Sequence, residues 1–158
     1  MPTWDELLKK LQQLQQQLAA GPLPVPGTPT PHDVLLRRYL RKLHEQTGRA
    51  IIMYYSGFQQ HPDAPPAALS VSSTDMAGFM EACSNAGERS LDLFIHSAGG
   101  DPDAAEQICG YLRSQFDQIR AIVPVFAMSE ATMIALSANE RSALPAGSNR
   151  TAIHDQHT

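Results

Sequence analysis

No apolar run in the 158-residue chain approaches the roughly 18 residues that a membrane helix needs, so no membrane span is expected. Cysteine is scarce. Cys83 and Cys109 sit in apolar helical patterns without metal-ligand spacing, which points to two buried reduced thiols and to no metal site. Positive charge is in deficit too: the formal net charge of −4 gives no sign of a nucleic-acid footprint, which would need a basic patch or stripe, so no nucleic-acid partner is expected. The opening Met-Pro-Thr-Trp-Asp-Glu is acidic and runs into a glutamine-rich stretch, unlike a secretory signal, and a cytoplasmic location is the expectation. A dinucleotide fingerprint is missing, because Gly99-Gly100 has neither the third glycine nor the later acidic partner. No internal repeat is visible. What is present, 42% hydrophobic and 18% charged residues, describes an ordinary globular chain long enough for one α/β domain and not comfortably for two.

Four segments follow one another. Residues 1–20 predict an amphipathic helix, with Thr3 and Glu6 spaced as a capping box and Leu7, Leu8, Leu11, Leu14 and Leu18 at helical spacing. Residues 21–31 hold Pro22, Pro24, Pro26, Pro29 and Pro31 and predict a semi-rigid linker. Residues 32–140 predict an α/β domain that begins with a helix over about Asp33–Thr47, closed by Gly48. The basic side of that helix (Arg37, Arg38, Arg41, Lys42) is read as solvated surface. Strands are expected at Ala50–Tyr55, Leu91–His96 and Ile119–Phe126. Helices are expected from Ser73 or Thr74 to about Ala86, over Pro102–Phe116 and over Glu130–Ala138, with His61–Ala68 a proline-rich loop. Near-continuous apolar strands between helices imply a mainly parallel sheet covered on both faces. Residues 141–158 read as a polar tail.

Two strand-to-helix junctions carry the candidate chemistry. In His96-Ser97-Ala98-Gly99-Gly100-Asp101 a glycine pair directly follows a buried strand. It is either a tight turn needing positive φ, or a place where backbone N–H groups approach a ligand without an intervening Cβ, as oxyanion donors must. In Phe126-Ala127-Met128-Ser129-Glu130 a serine opens a helix. By spacing alone it is a helix cap, but a hydroxyl at that place also suits a nucleophile whose oxyanion is met by free N–H groups.

Together the junctions resemble the Clp proteolytic subunit and crotonase superfamily of serine peptidases, most closely the serine dehydrogenase proteinase branch. The resemblance runs from the opening Met-Pro-Thr-Trp through Arg38-Tyr39-Leu40, Thr47-Gly48-Arg49 and Tyr54-Tyr55-Ser56-Gly57-Phe58. It continues through Leu91-Asp92-Leu93, His96, Gly99-Gly100-Asp101 and Tyr111-Leu112-Arg113. It ends with Ile119-Arg120-Ala121-Ile122-Val123-Pro124, Ala127-Met128-Ser129 and Thr132-Met133-Ile134. The resemblance implies the Clp-like α/β fold, a peptide or protein substrate, no cofactor and a homo-oligomer. It puts Ser129 on the nucleophile, Gly99 and Gly100 on the glycine loop, and the Glu130 amide on the second oxyanion donor.

The chain departs from that pattern at three places. Ala98 replaces a proline before the glycines, and Glu130 replaces a small residue beside the nucleophile, bringing a carboxylate toward a site that must hold developing negative charge. After Glu140 the family's usual continuation is absent, so the fold is expected to be divergent or truncated there. The serine still needs a base. Against the Clp proteolytic subunit, Leu144-Pro145, Ser148, Arg150 and Ile153-His154 match its segment, and His154 falls on the catalytic histidine. Against the nearer branch, only Ile153 and Gln156 are retained, and His154 is a substitution in a polar tail. Two readings stay open: a serine peptidase acting through an acyl-enzyme on Ser129, and a catalytically inactive relative serving as an oligomerisation or peptide-binding module. A crotonase-type acyl-coenzyme A enzyme would share the oxyanion logic without needing the serine, but the matches lie with the peptidases.

Overall fold

The structure is a computed structural model that describes residues 3–19, 29–61, 63–84 and 86–143. Helix α1 spans Trp4–Ala19 and is opened by the Thr3/Glu6 pair: Thr3 N–H donates to Glu6 Oε2 at 2.9 Å and Glu6 N–H to Thr3 Oγ1 at 3.3 Å. Helix α2 spans Pro31–Thr47 and is opened the same way, by Thr30 and Asp33. It therefore starts earlier than expected. Pro31 belongs to the helix and not to the linker, because the first helical position needs no N–H. Gly48, at φ 64°, ends it. The chain divides into two compact units at Thr47/Gly48, so α2 falls with α1 and not with the α/β unit that the sequence assigned it to.

The second unit is a sheet of four parallel strands in chain order: β1 (Ala50–Tyr55), β2 (Ser90–His96), β3 (Gln118–Val123) and β4 (Glu140–Ala143). The connections are helical. A short α3 (Pro66–Leu69) and α4 (Ser73–Ser84) join β1 to β2, α5 (Pro102–Gln115) joins β2 to β3, and α6 (Glu130–Leu136) joins β3 to β4. Three local departures have local causes. Helix α3 interrupts the expected loop, because Pro65 and Pro66 have the fixed φ of a first helical turn. Strand β3 stops at Val123 because Pro124 has no N–H for the ladder, which leaves Val125 and Phe126 exposed. Strand β4 lies where the polar tail was expected to begin: Arg120 pairs with Glu140 and Val123 with Ala143.

Register sorts the side chains into two faces. Ala50 and Ile52 lie level with Leu91 and Leu93, which lie level with Ile119 and Ala121, and all six are buried. On this face α4 packs against α5 and α5 against α6, adding Phe79, Ile108, Leu112, Ala131 and Ile134 to one core. The other face carries Ile51, Met53, Phe94 and Ile122, half-buried or exposed. Within this unit the crossover helices α4, α5 and α6 share the first face of the expected parallel, helix-flanked sheet. Strands laid in chain order with crossovers of one hand place every helix on the same side. On the second face Asp92, fully buried, is held between Arg49 Nε at 2.5 Å and Arg120 Nη2 at 2.5 Å. Two guanidiniums on one carboxylate satisfy a charge that burial would otherwise penalise by several kcal/mol, of order ~3–5 if left unpaired.

Candidate active site

The loops after β2 and β3 leave the sheet side by side and stay paired beyond the strands. Ser97 N–H donates to Phe126 O at 3.2 Å and Met128 N–H to Ser97 O at 3.1 Å, making a parallel bridge between Ser97 and Ala127. The glycine loop is clamped on its other side by Val71: Val71 N–H donates to Gly99 O, and Asp101 N–H to Val71 O, both at 2.8 Å. The two glycines answer different needs. Gly99 has φ 100°, and a Cβ there would lie 2.6 Å from Ser129 Cβ and 2.8 Å from Met128 O. At Gly100 a Cβ would run into the backbone of Val71. One glycine makes room for Ser129, the other for the clamp.

Ser129 sits at φ 51°, ψ −123°, and among the described residues it is the one non-glycine with positive φ. Its side chain makes no capping bond to α6, so the helix-cap reading fails on geometry although the residue holds the cap position. The first turn is served instead by the Ser129 carbonyl, which accepts from Thr132 N–H at 2.9 Å, while the Thr132 hydroxyl donates to Ala127 O at 2.6 Å. An exposed hydroxyl on a strained turn between strand and helix is the arrangement that presents a nucleophile at the edge of an α/β sheet. Residues 73–143 match the ClpP-like SDH-type serine proteinases.

The SDH-type match starts with α4 and ends with β4, so it encloses both loops and the strand that the sequence reading had left in the tail. An uncharacterised protein of Methanocaldococcus jannaschii is also similar, at 43% identity over 53 residues, 34% of this chain. The match covers 18% of that protein, so the chain spans less than a fifth of the curated relative's length. No solved structure matches the chain.

The proteinase-like loops place the expected donors unevenly. The Gly99 N–H donates to Ser97 Oγ at 3.2 Å and is thereby occupied, whereas the Gly100 N–H donates to Glu130 Oε2 at 2.7 Å. The Glu130 carboxyl is held below the usual carboxylate range by a hydrogen bond from Ser129 first, then by the N–H groups of Gly100 and of Glu130 itself. It is therefore an anion at neutral pH, lying on the Gly100 amide, one of the three donors that the sequence nominated, and beside the nominated nucleophile.

Ser97 is the residue that sequence reasoning missed. Its side chain is fully buried and takes the Gly99 N–H at 3.2 Å, and neighbouring Tyr54 donates its hydroxyl to Asp75 Oδ2 at 3.1 Å. Burial first, and then Asp75, push the Tyr54 phenol well above its ordinary range, so it stays neutral. A serine two residues before a positive-φ glycine is the visible signal of such a turn. His96 is buried and stacks on Tyr55 (4.9 Å) and Phe58 (5.2 Å), while its Nδ1 accepts from Phe126 N–H at 3.4 Å. Burial lowers its pKa, and it anchors the loop that leads to Ser129. An apolar cavity of about 250 Å³ opens beside it, lined by Met53, Tyr55, Phe94 and Val125 among others. His154 lies outside the described residues. Among the described residues, no group of three His, Cys, Asp or Glu side chains is placed to hold a metal, and no helix is long and apolar enough to cross a membrane.

Proposed function

We propose that the chain is a serine peptidase, or the N-terminal part of one, that acts on peptide or protein substrates through an acyl-enzyme on Ser129. The observation that carries this reading is the backbone of Ser129: a strained, uncapped serine pressed against a positive-φ glycine loop. In the reaction Ser129 Oγ bonds to the scissile carbonyl carbon, the C–N bond breaks, and the serine proton passes through a base to the departing amine. Water then releases the acyl group by the same steps in reverse. The oxyanion would be met by the N–H groups of Gly100 and Glu130, while Gly99 supplies the turn and not a donor. His154 is the proposed base.

The test is covalent labelling. A fluorophosphonate probe at neutral pH is expected to add its mass to the peptide containing Ser129, and to add nothing in Ser129→Ala. Folded protein that never labels at Ser129, with the Glu130 carboxylate intact or removed, overturns the reading. It would favour instead an inactive relative that binds peptides or sister subunits, which the occupied amides also support.

A further inference from the structure

The Glu130 side chain does something that neither the helix nor the core requires. A glutamate in the first turn of a surface helix ordinarily points to water, where its charge is solvated. Here it folds back across the loop after β2. Its Oε2 takes the Gly100 N–H at 2.7 Å and lies 2.7 Å from where a Cβ on Gly99 would stand. The neighbouring Ser129 hydroxyl and its own N–H act with that bond to hold the carboxyl below its ordinary range. The carboxylate therefore sits on the Gly100 donor and against Gly99, on the side of the loop that faces Ser129, where an oxyanion formed at that serine would be met.

We propose that the Glu130 carboxylate is a built-in occupant of the oxyanion pocket, a latch that has to swing clear before a substrate carbonyl enters. The inference rests on the reading of Ser129 and its two amides given above. Two negative charges cannot share these donors, so substrate and side chain compete for them. Nothing bulky holds the latch shut. Glu130 is only half-buried, and a rotamer change about its own side chain returns the carboxylate to solvent, where water replaces the three bonds. The same geometry argues against the carboxylate as the base for Ser129. Three donors stabilise the anion and weaken it as a proton acceptor, and a base lodged in the pocket would block the carbonyl that it should help to attack.

Glu130→Ala, Glu130→Gln and the wild-type chain distinguish these roles when each is treated with a fluorophosphonate probe and the labelling rate at Ser129 is followed. Removing one oxyanion donor costs roughly 10²–10³ in rate, so freeing the Gly100 donor in Glu130→Ala is expected to speed labelling by about tenfold or more. Glu130→Gln should fall between, since its amide oxygen still reaches the donors without the charge. In parallel, the Gly100 amide proton in a ¹⁵N-resolved spectrum should move upfield in Glu130→Ala as its bond to an anion is lost. That reading also shows whether each variant is folded. Equal rates with an unmoved Gly100 signal overturn the latch while leaving Ser129 as nucleophile. Slower labelling of Glu130→Ala also overturns it and makes the carboxylate the base. No labelling in any variant, with the Gly100 signal still moving, sinks the nucleophile and keeps the occupant.

Discussion

Replacing Ser129 by glycine should make the protein more stable, and replacing it by alanine should not. At φ 51°, ψ −123° a side chain with a Cβ is held in a sparsely populated region, at a cost of about 1–3 kcal/mol, that glycine does not incur. Glycine returns part of that gain by loosening the unfolded chain, which costs about 0.4–1 kcal/mol. The balance is roughly 1 kcal/mol in favour of Ser129→Gly, about fivefold in the folding equilibrium. Alanine keeps the Cβ and the strain. Because the serine makes no capping bond to lose and its hydroxyl meets only the half-exposed Glu130 carboxylate, Ser129→Ala should stay within about 1 kcal/mol of wild type, and Ser129→Gly, which loses the same hydroxyl, should exceed Ser129→Ala by the strain released. The assay is urea unfolding of the three chains followed by far-ultraviolet circular dichroism. Tryptophan fluorescence would report the wrong unit, since the one tryptophan, Trp4, lies in the helical unit before Gly48. A lower midpoint for Ser129→Gly than for Ser129→Ala, at equal slopes, would refute the strain argument and with it the structural support for a nucleophile.

Two further outcomes follow. Gly100→Ala should destabilise by about 1–3 kcal/mol, because its Cβ meets the rigid backbone of Val71, whereas Gly78→Ala, with open space inside α4, should stabilise by about 0.5–1 kcal/mol. Urea midpoints moving the same way in both would contradict the close-approach reading. His96 has a folded-state pKa below its ordinary 6.5, so on acidification the unfolded chain takes up a proton that the folded chain refuses. Stability should therefore fall as pH drops through about 6.5, and His96→Phe, which keeps the ring stack, should flatten that dependence in unfolding measured from about pH 7.5 to 5.5. Matching slopes in the two proteins would rule burial out as the cause.

The sequence was most readable where one short-range rule governed. Apolar runs such as Leu91–Ile95 and Ile119–Val123, broken by helical patterns, were enough for three parallel strands and their crossovers. The alternation also located Ser129 at a strand-to-helix junction. Strand β4 escaped because Glu140-Arg141-Ser142-Ala143 has no apolar alternation; Glu140, Arg141 and Ser142 are exposed, and the strand is recognised by its backbone pairing to β3. That α4, α5 and α6 share one face of the sheet was hidden because apolar runs record how buried a strand is and not the order in which strands lie. At the site, the residue types pointed to the right loops, but not to which amide is free. That Ser97 takes the Gly99 N–H, and that Glu130 folds back onto Gly100, depend on the path of two loops 30 residues apart in the chain. Glu130 was flagged as an unwelcome charge. Its engagement with the donors themselves is visible only in three dimensions.

The chain-order sheet has one more consequence. In doubly wound sheets the strand order reverses once, neighbouring loops part to opposite sides, and the gap between them becomes a ready crevice for a ligand. Strands β1 to β4 contain no such reversal, so the fold provides no crevice of that origin among the described residues. Consecutive loops depart on the same side and crowd each other, which is why Gly99 is pressed against Ser129. A substrate of the proposed peptidase would lie across the ends of the strands as a guest on a ledge, within reach of the apolar hollow beside His96.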